Sequence, residues 1–163
     1  MLFRSTRALG LTMVETHCGG CACGAVRYRV YGKPAFVAVC HCKFCQRRLA
    51  SALAILAAFD EKNVEITQGE LVECEHRSDE SGRWLKMSFC PKCATTVCHT
   101  AEVRPGMRTI AASTFDESDW FAIDRHIWAQ SKQPWVTIPA SATTYAKAFM
   151  PNPQPGSTPS SKT

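Results

Sequence analysis

Three short cysteine clusters constrain this chain more than any other feature of its sequence. Eight of the ten cysteines among its 163 residues lie in them: Cys18-x2-Cys21-x-Cys23, Cys40-His41-Cys42-x2-Cys45 and Cys90-Pro91-Lys92-Cys93. The N-terminal residues show arginines but no apolar segment followed by a small-residue cleavage site, so they do not read as an export signal. In a reducing compartment, clustered thiols bind metal rather than form disulfides. We therefore expect a cytoplasmic, metal-binding protein.

Composition and charge exclude several classes of protein. Apolar residues make up 45% of the chain and charged residues 20%, which is typical of a globular domain. No apolar run approaches the roughly 18 residues that a membrane span requires. The net charge of +5 owes much to Arg4, Arg7 and Lys162 near the ends. Cysteine thiolates bound to zinc would make the remaining body slightly negative, so we expect neither nucleic acid nor membrane as a partner.

The predicted domain organisation is one folded body between two tails. Residues 1–12 resemble no packed element and are predicted to be a flexible tail. Residues 13–148 form the zinc-binding domain, and residues 149–163 form a disordered C-terminal tail, because that segment is dominated by proline, serine and threonine. The sequence carries no feature that fixes the oligomeric state.

Short, punctuated apolar segments predict a mainly β fold. Residues 25–31 alternate apolar and basic side chains, as a half-buried strand does, and similar short strands follow at 36–39, 64–66, 71–75, 84–89, 97–100 and 108–112. Segments 125–129 and 135–138 are predicted to be extended. Residues 49–59 (LASALAILAAF) stay undecided between helix and buried strand. No long amphipathic helix is predicted.

The Cys90-Pro91-Lys92-Cys93 turn is the most diagnostic cluster. In such a zinc knuckle both thiolates reach one metal ion. A structural zinc ion requires four ligands, so a second pair must come from elsewhere in the chain. The N-terminal cluster can supply it either as Cys21 with Cys23 or as Cys18 with Cys21.

The middle cluster provides three thiolates, Cys40, Cys42 and Cys45, without an assured fourth ligand. Three protein ligands and an open position are typical of a catalytic zinc, and such a site suits the capture and ionisation of a thiol substrate. A second structural site, completed by His41, His17 or another cysteine, is the alternative. The single cysteines Cys18, Cys74 and Cys98 are expected to be core residues or spare thiols rather than ligands.

Five stretches of sequence together resemble the glutathione-dependent formaldehyde-activating enzyme family, which includes relatives of centromere protein V. They are Gly20-Cys21-Ala22-Cys23-Gly24-Ala25-Val26-Arg27-Tyr28, Cys40-His41-Cys42-x2-Cys45-Gln46-Arg47, Arg83-x5-Phe89-Cys90-Pro91-x-Cys93, His126-Ile127-Trp128 and Pro134-Trp135. The resemblance runs in order from about Cys18 to about Tyr145, which is nearly the whole folded body.

The resemblance implies a β-tent fold of small stacked antiparallel sheets with two zinc ions per chain, in which residues 49–59 are largely a strand. It implies a structural zinc at Cys21, Cys23, Cys90 and Cys93. It implies a catalytic zinc at Cys40, Cys42 and Cys45, with the fourth position left for water or the glutathione sulfur. The implied activity is that of a carbon–sulfur lyase that joins glutathione and formaldehyde reversibly into S-hydroxymethylglutathione.

The chain departs from the family pattern after the knuckle. Ala94 follows Cys93 where the family usually has glycine, a residue that commonly allows a positive φ, so we expect the knuckle to be either strained or differently bent. Cys98 stands where an apolar residue is usual. The segment 80–84 and the HIW…PW stretch resemble those of a subgroup whose members mostly have no assigned substrate, so the resemblance leaves the identity of the small aldehyde open.

Substrate contacts are predicted beside the middle cluster and near the end of the domain. Arg47, Arg48 and Lys43 are candidates to bind the two carboxylates of glutathione, although they could also form a solvated basic face. His126 and Trp128 could line the pocket as acid/base and wall, or they could belong to a packed strand. His41 lies between two ligands, is expected to point away from the metal, and is given no role.

Two other functions fit the same sequence. The scaffold could be a non-catalytic, zinc-stabilised binding module for protein or nucleic acid, or an enzyme that acts on a different small thiol. Metal content and the response of the open site to thiols separate these alternatives.

Overall fold

The structure, a computed structural model, describes residues 14–79 and 81–148. The tails predicted at 1–12 and 149–163 lie outside the described residues. By their internal contacts the described residues form two compact units, the first made of 14–35 and 57–121 and the second of 36–56 and 122–148. Among the described residues, no helix combines the length and the apolar character that crossing a membrane requires.

The described elements are mostly strands, as the sequence predicts. In chain order they are β1 (Thr16–Gly20), β2 (Arg27–Tyr31), β3 (Phe36–Cys40), α1 (Lys43–Leu49), β4 (Ala54–Asp60), β5 (Val64–Gln68), β6 (Val72–Arg77), β7 (Trp84–Phe89), β8 (Thr96–Ala101), β9 (Met107–Ala111), β10 (Arg125–Ile127) and β11 (Thr143–Thr144). Short 3-10 turns cover Glu61–Asn63, Ala112–Thr114 and Ala129–Ser131.

Antiparallel pairing organises the first unit. Strands β1, β2 and β5 form a three-stranded sheet in that order, and β9, β8, β7 and β6 are consecutive neighbours in a second sheet. In β2 the side chains of Tyr28 and Val30 are buried while Arg29 between them is exposed. The alternation read from the sequence is therefore the one that divides this strand between core and solvent.

The second unit contains parallel pairs, which the sequence did not predict. Strand β10 runs parallel to β3 and to β11, with Ile127 opposite Cys40. Parallel neighbours require a long connection between them, and some 84 residues separate β3 from β10 along the chain. This pairing puts the end of β10 directly beside the start of the middle cysteine cluster.

The segment 49–59 is divided between two elements. Helix α1 ends at Leu49, and β4 begins at Ala54, so most of the segment is a strand, as the family resemblance implies. In β4 the small side chains of Ala57 and Ala58 are both completely buried. Burial of consecutive residues on both faces explains why the strand lacks the alternation that would have identified it.

Several elements differ from the sequence predictions, and three of them have a clear physical reason. Segment 135–138 is not a strand, because Val136 N–H bonds to Gln133 O at 3.0 Å in a turn and prolines flank the segment. Strand β1 was missed because its Gly-Gly end has low strand propensity. Helix α1 was missed because its N-cap is Cys42, whose Sγ accepts the Cys45 N–H at 3.3 Å, instead of the usual Ser or Asp.

Close packing of an aromatic ring against glycine holds β1 on the core of the first unit. Tyr28 is buried, lies edge-on to Phe115 with 5.5 Å between ring centroids, and its hydroxyl is 2.9 Å from Thr114 Oγ1. Gly19 lies opposite Tyr28 in the β1–β2 register, and a Cβ at this position would overlap the Tyr28 ring and the Thr114 carbonyl. Glycine is required here for close approach.

We predict that Gly19→Ala lowers the free energy of unfolding by about 1–3 kcal/mol, because the added methyl overpacks a rigid ring and a backbone oxygen. Chemical denaturation of the metal-loaded protein measures this loss. Thr16→Ala in the same strand, at an exposed position, is the control and should change stability by about 0.5 kcal/mol or less. Equal effects of the two substitutions would contradict the packing argument.

Candidate metal centres

Four cysteines from two distant parts of the first unit converge on one point. Cys21 and Cys23 follow β1, and Cys90 and Cys93 follow β7; their four Sγ atoms lie within 4.8 Å of one another. We call them the four-cysteine group. Cys21 and Cys90 are buried, whereas Cys23 is exposed. The structure thus brings together the set that the family resemblance implies and leaves the exposed Cys18 outside it.

Two tight turns present these sulfurs. In the first, Cys21 N–H bonds to Val26 O at 3.0 Å, and Val26 N–H in turn donates to Cys21 Sγ at 3.2 Å. In the second, Ala94 N–H bonds to Cys90 O at 2.9 Å and Cys90 N–H bonds to Thr95 O at 3.0 Å. N–H groups directed at sulfur stabilise the thiolate, the form that binds metal.

Electrostatics in this group also favour a thiolate. Hydrogen bonding from Thr95, whose Oγ1 lies 3.2 Å from Cys93 Sγ, lowers the pKa of Cys93 to about 5. Four thiolates are the commonest donor set of a structural zinc ion. The residues present therefore fit a zinc ion of this kind.

Ala94 has the backbone conformation that the sequence predicts. Its φ is +58°, in the left-handed region where a residue with a Cβ is strained. The knuckle nevertheless keeps its bond from Ala94 N–H to Cys90 O, so the chain tolerates the strain rather than changing the turn.

Three further cysteines converge in the second unit. Cys40 ends β3, Cys42 caps α1 and Cys45 lies in the first turn of that helix; their Sγ atoms lie within 4.8 Å of one another. We call them the three-cysteine group. Cys40 and Cys45 are buried and Cys42 is half-buried. Among the described residues, this group includes no fourth cysteine, histidine or carboxylate.

In the three-cysteine group, hydrogen bonds between the thiols favour the thiolate form of Cys42. Hydrogen bonding from Cys40 and then Cys45 lowers the pKa of Cys42 to about 3. The same contacts, added to burial, raise the pKa of Cys40, because one thiol must keep its proton while its neighbour is ionised. A metal cation removes this conflict by allowing all three sulfurs to ionise, so this group also fits a thiophilic metal ion such as zinc.

His41, between two members of the three-cysteine group in the sequence, is held by contacts to β10 and is not a member of the group. Its N–H bonds to Ile127 O at 3.0 Å, and its Nε2 lies 3.0 Å from Nδ1 of His126. Both rings are buried, and burial lowers the pKa of each histidine. His41 and His17, the two histidines considered as a fourth ligand, are not members of the group; His17 stacks on Trp120.

Gln46 is a functional residue that sequence reasoning missed. It is buried, and its Nε2 donates to His41 O at 2.6 Å and to Ser131 O at 2.9 Å. Its Oε1 accepts from Gln133 Nε2 at 2.8 Å. Gln46 therefore ties α1, the loop of the cysteine group and the segment after β10 together. The position of Gln46 directly after Cys45 was the one sequence feature that could have indicated its contact with the cysteine loop.

The predicted pocket residues His126 and Trp128 both lie near the three-cysteine group but make different contacts. His126 is engaged by His41, as described above. Trp128 has a left-handed backbone with φ +58°, and it packs against the apolar cluster that contains Cys40 and Cys45. Such a conformation is unusual for a bulky residue and occurs where a ring must be held in a specific position.

The two predicted arginines lie on different sides of α1. Arg47 lines a cavity of about 550 Å³ together with Lys43, Gln46 and Gln133. Arg48 does not line this cavity; its guanidinium carbon lies 6.0 Å from the centre of the Phe44 ring. A difference of one position turns the side chain by about 100° on a helix.

The remaining cysteines are outside both groups. Cys74 is exposed on β6, and Cys98 is buried on β8. Arg108 Nη1 lies 3.9 Å from Cys98 Sγ, and burial raises the pKa of this thiol. None of the three single cysteines joins a metal-ligand group among the described residues.

Comparison with known proteins establishes the family. The model of the glutathione-dependent formaldehyde-activating enzyme family matches residues 16–131, and the chain belongs to this family. Among solved structures, a crystal structure of a Rhodobacter sphaeroides protein from Northeast Structural Genomics is similar at 24% identity, with a TM-score of 0.48; the similarity covers 61% of this chain and 87% of that chain. Comparison with curated proteins gave no significant match.

We predict that Ala94→Gly raises the free energy of unfolding by about 1 kcal/mol, because glycine adopts the left-handed conformation without a Cβ clash. Urea denaturation of the metal-loaded protein is the measurement. Ala22→Gly, in the partner turn but without positive φ, is the matched control and should be slightly destabilising. A loss of stability in both variants would show that residue 94 is not strained.

Proposed function

We propose that this protein is a zinc-dependent carbon–sulfur lyase that forms and cleaves a thiol–aldehyde adduct such as S-hydroxymethylglutathione. The observation that carries the proposal is the three-cysteine group, which offers three convergent sulfurs and, among the described residues, no fourth side-chain ligand. Membership in the family supports glutathione and formaldehyde as the substrates. The four-cysteine group is proposed to hold a second, structural zinc.

Cys40, Cys42 and Cys45 would hold the reactive zinc. When bound there, zinc supplies an open coordination position that favours the thiolate form of an incoming thiol. In the reaction the thiol sulfur forms a bond to the aldehyde carbon, the carbonyl electron pair moves to oxygen, and that oxygen receives the thiol proton. The reverse sequence releases both substrates, and no oxidant or reductant takes part.

The chain's own residues position the reactants. Three contacts to His41, from Gln46, Ile127 and His126, fix the loop between the first two cysteines. Trp128 is proposed as an apolar wall that excludes water from one side. Because the adduct already forms readily in water, holding thiol and aldehyde side by side is the main contribution required of the protein.

Basic side chains would bind the carboxylates of glutathione. Arg47 and Arg48 are the proposed partners, of which Arg47 faces a cavity. Arg48 has Nε and Nη1 buried without a hydrogen-bond partner among the described residues, which leaves these donors for a ligand or a water molecule.

We predict different consequences for one cysteine of each group. Cys93→Ser should unfold the protein, because a structural zinc contributes on the order of 10–16 kcal/mol and net stability is about 5–15 kcal/mol. Cys42→Ser should release one of two zinc ions and leave the circular dichroism spectrum unchanged. Metal analysis and thermal unfolding test both.

Cys74→Ser, an exposed cysteine outside both groups, is the matched control and should keep two zinc ions and wild-type stability. If Cys42→Ser unfolds the chain as completely as Cys93→Ser, the division into a structural and a reactive site is wrong.

We predict that millimolar glutathione changes the visible absorption of the cobalt-substituted protein, because a thiolate enters the open position. The same protein loaded with zinc should accelerate exchange between glutathione, [13C]formaldehyde and their adduct in NMR exchange spectra. Cys42→Ser should abolish both effects, and Cys74→Ser should preserve them. Unchanged cobalt spectra with every thiol, together with a salt-sensitive shift of RNA or DNA, would instead indicate a binding module.

A further inference from the structure

A further cavity lies in the first unit, against the sheet formed by β6, β7, β8 and β9. Its volume is about 410 Å³, within the range of small-ligand sites. We call it the sheet cavity. Its lining includes no member of either cysteine group, and its charged side chains are Glu61, Glu73, Lys86, Glu102, Arg104 and Arg108. The function proposed above makes no use of these residues.

Strand register explains why opposite charges share the sheet cavity. Lys86 on β7 pairs with Thr100 on β8, and continuing the β8–β9 register brings Arg108 on β9 opposite Thr100. Paired residues project from the same face of a sheet, so Thr100 lies between two basic side chains. Glu102 follows two residues later on the same face, and its N–H bonds to Trp84 O at 3.2 Å, which continues the β7–β8 pairing. All five residues line the cavity.

Arg108 is held from two sides with one donor unused. Its Nη2 bonds to Glu61 Oε1 at 2.6 Å, and its Nη1 lies 3.9 Å from Sγ of the buried Cys98. The third nitrogen, Nε, is buried and has no hydrogen-bond partner in the part of the chain that the structure describes. A buried donor without a partner indicates an acceptor that the chain itself does not supply.

Lys86 and Glu102 carry opposite charges that the fold does not neutralise. Lys86 Nζ lies 5.1 Å from the centre of the Trp84 ring, and Glu102 Oε2 accepts the Trp84 N–H at 2.9 Å. Neither forms an ion pair with any residue of 14–79 or 81–148. A ligand with a single charge would be attracted by one of them and repelled by the other. A ligand that carries a cation and an anion a few ångströms apart satisfies both.

We infer that the sheet cavity is a binding site for a small zwitterion of the α-amino acid class. The ligand carboxylate lies over Thr100 and accepts hydrogen bonds from Arg108 and Lys86. The ligand ammonium group donates to Glu102, and the Trp84 ring offers an apolar face to the ligand side chain. No sulfur and no metal ion takes part, so the inference does not depend on the proposed function.

The test compares three compounds of nearly the same shape. They are L-norvaline, which carries both charges, pentanoate, which lacks the amino group, and butan-1-amine, which lacks the carboxylate. Each is titrated into the zinc-loaded protein while the Thr100 amide and the Trp84 indole N–H are followed by NMR. Norvaline should shift both signals saturably and bind at least about tenfold more tightly than either single-charge compound, as expected for a second charge-assisted contact.

Variants assign each charge of the ligand to its partner. Lys86→Gln and Arg108→Gln should each weaken norvaline about tenfold and leave butan-1-amine unchanged. Glu102→Gln should weaken norvaline by a similar factor without weakening pentanoate. Arg77→Gln and Glu70→Gln, on the same unit but outside the cavity lining, are the matched controls and should bind norvaline as the wild type does. If Arg108→Gln fails to fold because it loses its contact with Glu61, Lys86→Gln still tests the carboxylate contact.

Two results would overturn the zwitterion site: absence of a saturable shift with norvaline, or equal affinity of the wild type for all three compounds. Cys42→Ser separates this inference from the proposed function, because it removes a ligand of the reactive zinc and should leave the norvaline response intact. A norvaline response without any effect of thiols on the cobalt-substituted protein retains the zwitterion site and overturns the lyase proposal. A thiol effect without a norvaline response does the reverse.

Discussion

Crowding of thiols is the interaction on which the rest of this structure depends. In each cysteine group the sulfurs lie within 4.8 Å of one another, at distances where neighbouring thiols compete for protons. A soft cation resolves the competition by binding all sulfurs as thiolates. A metal ion bound by the four-cysteine group would also join turns that are 67 residues apart, so the same chemistry that satisfies the thiols would close a long loop of the chain.

In the proposed function the two groups have different roles, because they differ in number of donors and in surroundings. The four-cysteine group is complete, and its turns direct N–H groups at sulfur. The three-cysteine group has one donor fewer. Its loop is fixed at His41, which is hydrogen-bonded to Gln46 and to β10. Trp128, whose backbone lies in the left-handed region, packs against the apolar cluster that contains Cys40 and Cys45, and Lys43 and Arg47 lie on α1 in the same unit. The proposed thiol site rests on this rigid group, which is one donor short.

Local patterns predicted most of the strands and failed at particular elements for identifiable physical reasons. Strand β7 was predicted with the same bounds that the structure shows, Trp84 to Phe89. Strand β2 was predicted from its alternation of apolar and basic residues. Strand β4 was ambiguous because both faces are buried. Helix α1 was missed because a cysteine takes the capping role. The extended segment predicted at 135–138 forms no strand, because the Val136 N–H is used in a turn that starts at Gln133.

By itself the sequence determined which turns carry the thiols, since the spacing within CPxC and CHCxxC is a local property that allows both ends of a turn to reach one point. It also indicated, through the residue after Cys93, that the knuckle would be strained or differently bent. The tertiary structure alone decided which neighbours join. Cys23 rather than Cys18 accompanies Cys21, because Cys18 lies within β1 whereas Cys21 and Cys23 lie in the turn that follows it. Arg47 rather than Arg48 lines the cavity along α1, because adjacent helical positions diverge by about 100°. The direction in which a side chain points depends on what its helix or strand packs against, and this packing is a property of the whole fold.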